Sequence, residues 1–170
     1  MKIFEREREV ALAAVADACR LAVAVGEAMT GDHRADKEDR SPVTVADFGV
    51  QAVIHARLKA AFPHDAIVAE EDSCELTRPE NAALLRAVVE HVAAIHPELS
   101  EQAVLRRADR GGHAGGASGR FWSLDPVDGT KGFLRGDQYA VALALIENGR
   151  PVFGVLGCPR LDGGAIFASA

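Results

Sequence analysis

The chain has 170 residues, of which 48% are hydrophobic, so it is expected to form one domain with a substantial core rather than a disordered segment. Its formal net charge of −6 argues against binding to a nucleic acid polymer, because such surfaces are basic. Residues 1–9 are charged rather than apolar, and the longest apolar run is short and rich in alanine. Neither a signal peptide nor a membrane association is therefore expected.

The cysteines indicate the cellular compartment, and the histidines argue against a metal site built from histidine side chains. The three cysteines, Cys19, Cys74 and Cys158, are an odd number and lack metal-binding spacing. They predict a reducing, cytoplasmic setting in which the thiols are small buried side chains, with a redox-sensing pair as the alternative. The six histidines are scattered, so none is predicted to be a metal ligand.

Three helices are predicted in the first hundred residues from apolar spacing and terminal signals. They cover 5–29, a stretch to Ala61 capped by Thr44, and 79–95 beginning at Pro79. Between the first two, residues 31–40 are polar and densely charged and predict a mobile loop or hairpin. Lys37 and Arg40 in that loop are either solvated or able to reach a bound phosphate.

Strands dominate the second half. A short apolar strand over 66–69 delivers Glu70 at its end, and a glycine-rich loop over 110–120 precedes the remaining strands. Those strands are predicted at 120–124, 139–147, 152–157 and 165–168, with a two-residue hairpin at Asn148-Gly149. Helices followed by strands favour an α+β fold in which long helices pack on an antiparallel sheet.

The segment Trp122-Ser-Leu-Asp-Pro-Val-Asp-Gly-Thr-Lys-Gly-Phe133 carries the strongest chemical signal. A proline turn between Asp125 and Asp128 lets two carboxylates face one point, as Mg²⁺ requires. The following Gly129 and Thr130 resemble a helix start, where free N–H groups suit a phosphate. The combination indicates metal-assisted hydrolysis of a phosphate ester. The alternative is an ordinary surface turn, although apolar residues flank it on both sides.

These residues resemble the inositol monophosphatase superfamily, whose signature is an apolar residue, Asp-Pro-(Ile/Leu/Val)-Asp-Gly-Thr and then Phe. Ser41-Pro-Val-Thr-Val-Ala-Asp47 and Val68-Ala-Glu-Glu-Asp-Ser73 resemble two further motifs of that superfamily, in the same order. Lys131-Gly-Phe-Leu-Arg-Gly-Asp-Gln-Tyr139 is similar to its 3′(2′),5′-bisphosphate nucleotidase branch. Plain inositol monophosphatases usually have Gly-Thr-Thr-Asn-Phe where this chain has Gly-Thr-Lys-Gly-Phe.

The resemblance implies a sugar-phosphatase-type layered fold and a Mg²⁺-dependent site. The implied metal ligands are three carboxylates and one backbone carbonyl, those of Glu70, Asp125, Asp128 and Val127. Asp47 and Thr130 would be the catalytic pair that activates a water, and Gly129 and Thr130 would bind the substrate phosphate.

Structural alternatives accompany several of these assignments. Asp47 falls three residues after Thr44, where an acidic side chain also suits a helix N-terminus. Thr130 could likewise cap a helix. Glu70 could belong to a solvated acidic group with Glu71 and Asp72, and these two neighbours are expected around the site or facing solvent.

Superfamily members carry about as much chain again, including a further metal-binding aspartate. Residues 1–170 are therefore expected to be the N-terminal, metal-binding half of such a domain, with the C-terminal half missing. The implied activity is removal of the 3′-phosphate from adenosine 3′,5′-bisphosphate, with its sulfated form as a further candidate substrate in sulfur metabolism. The alternatives are an inositol mono- or polyphosphate phosphatase, and a non-catalytic truncated paralogue that binds metal or another protein.

Overall fold

Long helices cover one face of a five-stranded sheet in the computed structural model, which describes residues 4–30, 41–109 and 114–170. The helices are α1 (Glu5–Thr30), α2 (Ser41–Ala61), α3 (Ala82–Ile95), α4 (Glu101–Arg107) and α5 (Thr130–Arg135), with a 3₁₀ turn at Pro79–Asn81 before α3. The strands are β1 (Ala66–Val68), β2 (Arg120–Asp128), β3 (Ala140–Glu147), β4 (Arg150–Cys158) and β5 (Ala165–Ser169). The predicted α+β class is confirmed. Among the described residues, no helix is long and apolar enough to cross a membrane.

Helices α1 and α2 pack closely against each other because small residues line their contact. The buried face of α1 is largely alanine and valine at helical spacing, comprising Ala11, Ala14, Val15, Ala18, Leu21, Ala22 and Val25. On α2, a Cβ added to Gly49 would lie 2.8 Å from Leu21 Cδ2. The scarcity of aromatic residues therefore suits a core built from closely approaching helices.

The sheet has strand order β1-β2-β3-β4-β5. The predicted antiparallel pairing holds for β2 to β5, whereas β1 pairs in parallel with β2, so the sheet is mixed. Asn148 and Gly149 join β3 to β4 with φ angles of 50° and 73°, the left-handed pair expected of the predicted hairpin. Parallel pairing of β1 brings its C-terminal end to the same edge as that of β2.

Two helix predictions need correction. Helix α2 begins at Ser41 rather than after Thr44, since Pro42 suits a first helical turn, so the assignment of Thr44 as N-cap is wrong. Helix α4 was not predicted, although the Ser100 side chain accepts a hydrogen bond from the Ala103 N–H at 3.3 Å and caps it. The predicted loop at 31–40, with Lys37 and Arg40, lies outside the described residues.

Candidate active site

The two aspartates of the Asp-Pro-Val-Asp motif lie in a bulged strand rather than in a turn. Strand β2 continues through Asp128, and its register with β3 shifts between Asp125, opposite Ala142, and Asp128, opposite Ala140. Three residues along β2 therefore span the same distance as two residues along β3. Strand β2 thus contains the one extra residue of a β-bulge. In a regular strand, residues three apart point to opposite faces. The bulge lets both aspartates be exposed while Pro126 and Val127 are buried.

The next residues form the helix start that the sequence indicated. Gly129 is the N-cap of α5 with a φ of 96°, and Thr130 is the first helical residue. Thr130 therefore does not cap the helix by a side-chain hydrogen bond, and it is exposed. Helix α5 is held down by Phe133, which is buried. The backbone of Gly129 is left-handed, a conformation that any other residue would adopt only with strain.

The parallel strand pair places Glu70 near Asp125. Val68, the last residue of β1, is opposite Ser123 in β2. Two residues further along each segment lie Glu70 and Asp125, so the C-terminal end of β1 brings Glu70 beside Asp125 of β2. Parallel pairing of β1 with β2 thus explains how the motifs that contain Glu70 and Asp125, which are distant in the sequence, bring their carboxylates together.

Asp47 lies on α2, beyond the first helical turn, which contains no acidic residue. The interpretation of Asp47 as a capping residue is therefore wrong. The residue is half-buried, and burial is the main cause that raises the pKa of Asp47 to about 8. The carboxylates of Glu71, Glu70 and Asp125 add to this increase. Asp47 is consequently within electrostatic reach of both acidic motifs.

Burial and the same repulsion also raise the pKa of two neighbouring carboxyl groups, those of Asp125 and Glu71. The pKa of Asp125 is raised by partial desolvation, then by Asp128 and Glu70, while a hydrogen bond from the Val127 N–H opposes the increase. Asp125 is exposed when the whole residue is considered. Its carboxyl group nevertheless loses enough solvent that desolvation is the largest cause of its raised pKa. The pKa of Glu71 is raised by burial and then by Glu70. We call Asp47, Glu70, Glu71, Asp125 and Asp128 the acidic cluster.

The acidic cluster does not form a closed metal cage. Within residues 4–30, 41–109 and 114–170, no three His, Cys, Asp or Glu side chains converge closely enough to hold a cation as they stand. The assignment of Glu70, Asp125 and Asp128 as ligands, with the Val127 carbonyl, therefore stays a prediction. The same holds for the catalytic pair. Helices α2 and α5 are in contact, but no hydrogen bond joins the side chains of Asp47 and Thr130 in the described part of the chain.

One buried side chain next to the cluster was not predicted. Gln51, on α2, hydrogen-bonds to the backbone of Glu71 and to the carbonyl of Ala108. No motif singles out a lone glutamine inside an apolar helix face. Only its position four residues after Asp47, on the same face of α2, could have indicated a role.

A groove of about 430 Å³ extends from the acidic cluster across the uncovered face of the sheet. It begins at Ser123 and Asp125 and reaches Phe167 in β5. Leu156 and Phe167 line it and are 39% and 52% exposed. The groove is thus acidic at one end and apolar along most of its length.

The helix layer, the mixed sheet and the acidic edge together define a layered α+β domain of the sugar-phosphatase type. Solved structures share this fold at low sequence identity. Mycobacterium tuberculosis SuhB has a TM-score of 0.55 and 22% identity, over 97% of this chain and 44% of that one. The extragenic suppressor protein suhB from Bartonella henselae has a TM-score of 0.54 and 20% identity, over 96% of this chain and 51% of that one.

The sequence pattern of the Inositol monophosphatase family matches residues 5–169, and the chain belongs to this family. It is 45% identical to 3′(2′),5′-bisphosphate nucleotidase 1 of Candida albicans, over 94% of this chain and 47% of the relative. It is 44% identical to the 3′(2′),5′-bisphosphate nucleotidase of Schizosaccharomyces pombe, over 93% of this chain and 48% of the relative. The chain spans about half the length of the curated relatives it matches.

Proposed function

We propose that the chain is the metal-binding half of a Mg²⁺-dependent phosphatase that removes the 3′-phosphate of adenosine 3′,5′-bisphosphate. The observation that carries this proposal is the acidic cluster, in which carboxylates from three separate segments lie close enough together to raise the pKa of Asp47, Glu71 and Asp125, in addition to the effect of burial. Like charges held together in this way favour a cation between them.

The donor set fits a hard cation. All the ligands in our proposal are oxygens, namely the carboxylates of Glu70, Asp125 and Asp128 and the Val127 carbonyl. Mg²⁺ prefers such donors and keeps several waters, so it does not need a closed protein cage. When bound, Mg²⁺ would neutralise charge on the phosphate and make a nearby water more acidic.

The remaining groups supply positioning and proton transfer. The Thr130 hydroxyl would orient the attacking water while its own proton passes to the Asp47 carboxylate. The exposed start of α5, at Gly129 and Thr130, would bind the phosphate oxygens through backbone N–H groups and the hydroxyl. The contact between α2 and α5 supports this pairing, because it brings the two helices that carry Asp47 and Thr130 together.

The choice of substrate rests on the relatives. Those at 44–45% identity are named bisphosphate nucleotidases, whereas the solved structures named above are only 20–22% identical. We therefore favour the nucleotide, with its sulfated form as a second substrate and the cytoplasm as the setting. An inositol phosphate is the competing substrate, since the family carries that name.

A phosphate-release assay tests this function in a protein that carries both halves, made by joining this chain to the second half of the Candida albicans relative. We expect release from adenosine 3′,5′-bisphosphate to be at least about tenfold faster than from inositol monophosphate, and to stop when EDTA removes Mg²⁺. Equal or reversed rates would contradict the nucleotide assignment. Release that persists in EDTA would contradict the metal site.

A further inference from the structure

Gln51 is a fully buried polar residue beside the acidic cluster. Its side chain is 0% exposed and lies one helical turn after Asp47, on the same face of α2. The amide accepts a hydrogen bond from the Glu71 N–H at 3.1 Å and donates to the Glu71 carbonyl at 2.9 Å. It also donates to the Ala108 carbonyl at 2.7 Å. One side chain thus joins α2 to two other segments.

The segment that Gln51 holds has no strand partner of its own. Strand β1 ends at Val68, and Glu70 and Glu71 follow outside any ladder. The Gln51 amide satisfies both backbone groups of Glu71, as a neighbouring strand would do. The peptide group that contributes the Glu71 N–H also carries the Glu70 carbonyl, so the constraint acts directly on the chain next to Glu70.

Electrostatics alone would separate these segments. Glu70 and Glu71 both repel the carboxylate of Asp47, which lies one turn away on the helix that carries Gln51. A neutral amide is the side chain that can bridge this gap, because it both donates and accepts without adding charge. An apolar residue would leave the two backbone groups of Glu71 without this partner in a partly buried site.

We infer that Gln51 is a positioning residue that fixes the Glu70–Glu71 segment beside Asp47 and so keeps the acidic cluster assembled for a cation. The inference rests on the proposed function, because the cation is part of that function. It concerns the placement of the carboxylates, and Gln51 itself touches no reacting group in this account.

The test compares Gln51→Met, which keeps the length of the side chain and removes its hydrogen bonds, with the wild-type 170-residue chain. Hydrogen exchange of the Glu71 amide reports the positioning, and isothermal titration with Mg²⁺ reports the consequence. We expect exchange at Glu71 to become roughly tenfold faster or more. We expect Mg²⁺ affinity to fall by about tenfold or more, as when a group that orients a ligand is lost.

Val53→Ala is the matched control, since Val53 is also fully buried on α2 and contacts neither Glu71 nor the acidic cluster through a hydrogen bond. We expect it to lower stability while leaving Mg²⁺ affinity and Glu71 exchange within about twofold of wild type. Gln51→Asn replaces Gln51→Met if the latter does not fold. Its amide is one methylene shorter and cannot keep all three hydrogen bonds, so both effects are expected in weaker form.

Retention of Glu71 protection in the folded Gln51 variants would overturn the positioning role. So would a loss of protection that leaves Mg²⁺ affinity unchanged, or an equal loss of affinity in Val53→Ala. A wild-type chain that binds no Mg²⁺ would contradict the proposed metal site instead. Exchange at Glu71, which needs no metal, would still decide whether Gln51 holds the segment.

Discussion

Replacement of Asp128 gives the most direct test of whether its motif is a metal site or a solvated surface segment. Asp128 is exposed, and its side chain hydrogen-bonds to none of the other residues that the structure describes, so a neutral replacement is expected to have little structural effect. In a protein with both halves, Asp128→Asn is expected to lower turnover by on the order of 100-fold or more, since charge placed against the phosphate is lost. Steady-state phosphate release with thermal unfolding as a fold check is the measurement.

Asp162→Asn serves as its control. Asp162 has a left-handed backbone with a φ of 46°, which asparagine also tolerates, and it lies in the turn between β4 and β5. The expected result is unchanged turnover. If Asp128→Asn were as active as Asp162→Asn, Asp128 would not be a ligand.

Asp47 gives a prediction for stability in the absence of metal. Its pKa in the folded chain is about 8, above the ordinary value of 3.8, so folding favours the protonated form. The stabilising contribution is complete below about pH 4 and is lost as the pH rises through 8. Asp47→Asn removes this dependence and is expected to raise the free energy of unfolding at pH 8 by at least about 1 kcal/mol.

Urea unfolding of the metal-free chain between pH 5 and 8 measures this effect, with the range set by the shift in pKa. A destabilised Asp47→Asn at pH 8 would therefore contradict the raised pKa of Asp47 as the source of this dependence.

The residues of the acidic cluster were largely recognisable from sequence, because each lies in a short motif with its own local chemistry. The environment of Asp47 was not, since its raised pKa depends first on burial in the folded chain and then on carboxylates more than twenty residues away in the sequence. Gln51 was missed for the same reason. Its partners, Glu71 and Ala108, are distant in sequence and known only once the chain is folded.

Among the secondary-structure elements, β2 shows how tertiary pairing overrides a local signal. Proline at position 126 favoured a turn after Leu124, but pairing with β3 extends the strand to Asp128 and absorbs the proline in a bulge. The hairpin at Asn148-Gly149 was predictable because its two residues determine the turn type by themselves. Helix α4 was overlooked because it is only seven residues long and has one fully buried side chain, Val104.

Helix α5 depends on a close approach at Gly132. A Cβ at this position would lie 1.9 Å from the Gln138 carbonyl oxygen, which belongs to the backbone and cannot rotate away. Gly132→Ala is therefore expected to destabilise the chain by about 3 kcal/mol or to displace the loop that leads into β3. This packing also gives a structural reason for glycine where plain inositol monophosphatases usually have asparagine.

Gly136→Ala is the matched control for Gly132→Ala. Gly136 has a φ of 73°, and no atom would contact its Cβ, so only backbone strain of about 1 kcal/mol is expected. Chemical denaturation of both variants provides the comparison. Equal costs would show that the approach of Gln138 to α5 is not a constraint.

At the scale of the whole molecule, the helices cover one face of the sheet and leave apolar side chains on the other. Leu156, Ile166 and Phe167 are the large hydrophobic residues that remain exposed among those described, at 39%, 39% and 52%. Leu156 and Phe167 are paired across β4 and β5 and lie on this uncovered face. Ile166 pairs with Gly157 and lies on the helix-covered face. Apolar surfaces of this kind promote association.

Phe167→Glu is expected to reduce self-association of the 170-residue chain by placing a charge on the exposed face of β5. Sedimentation velocity over a range of concentrations measures this, with Ala82→Glu at the start of α3 as a surface control. Association of both variants like the wild type, or a wild type that is monomeric throughout, would contradict a role for this face of β5 in self-association. The unmodified chain alone is expected to release phosphate poorly or not at all.

Mg²⁺-dependent thermal unfolding tests the central claim, that the acidic cluster is a cation site. The wild-type 170-residue chain is compared with a variant that carries both Asp125→Asn and Asp128→Asn, with Mg²⁺ as the only changing component. Mg²⁺ is predicted to raise the unfolding temperature of the wild type, by the equivalent of about 1.4 kcal/mol at ten times its Kd, and to leave the double variant unchanged. An equal increase in both proteins, or none in the wild type, would contradict the account.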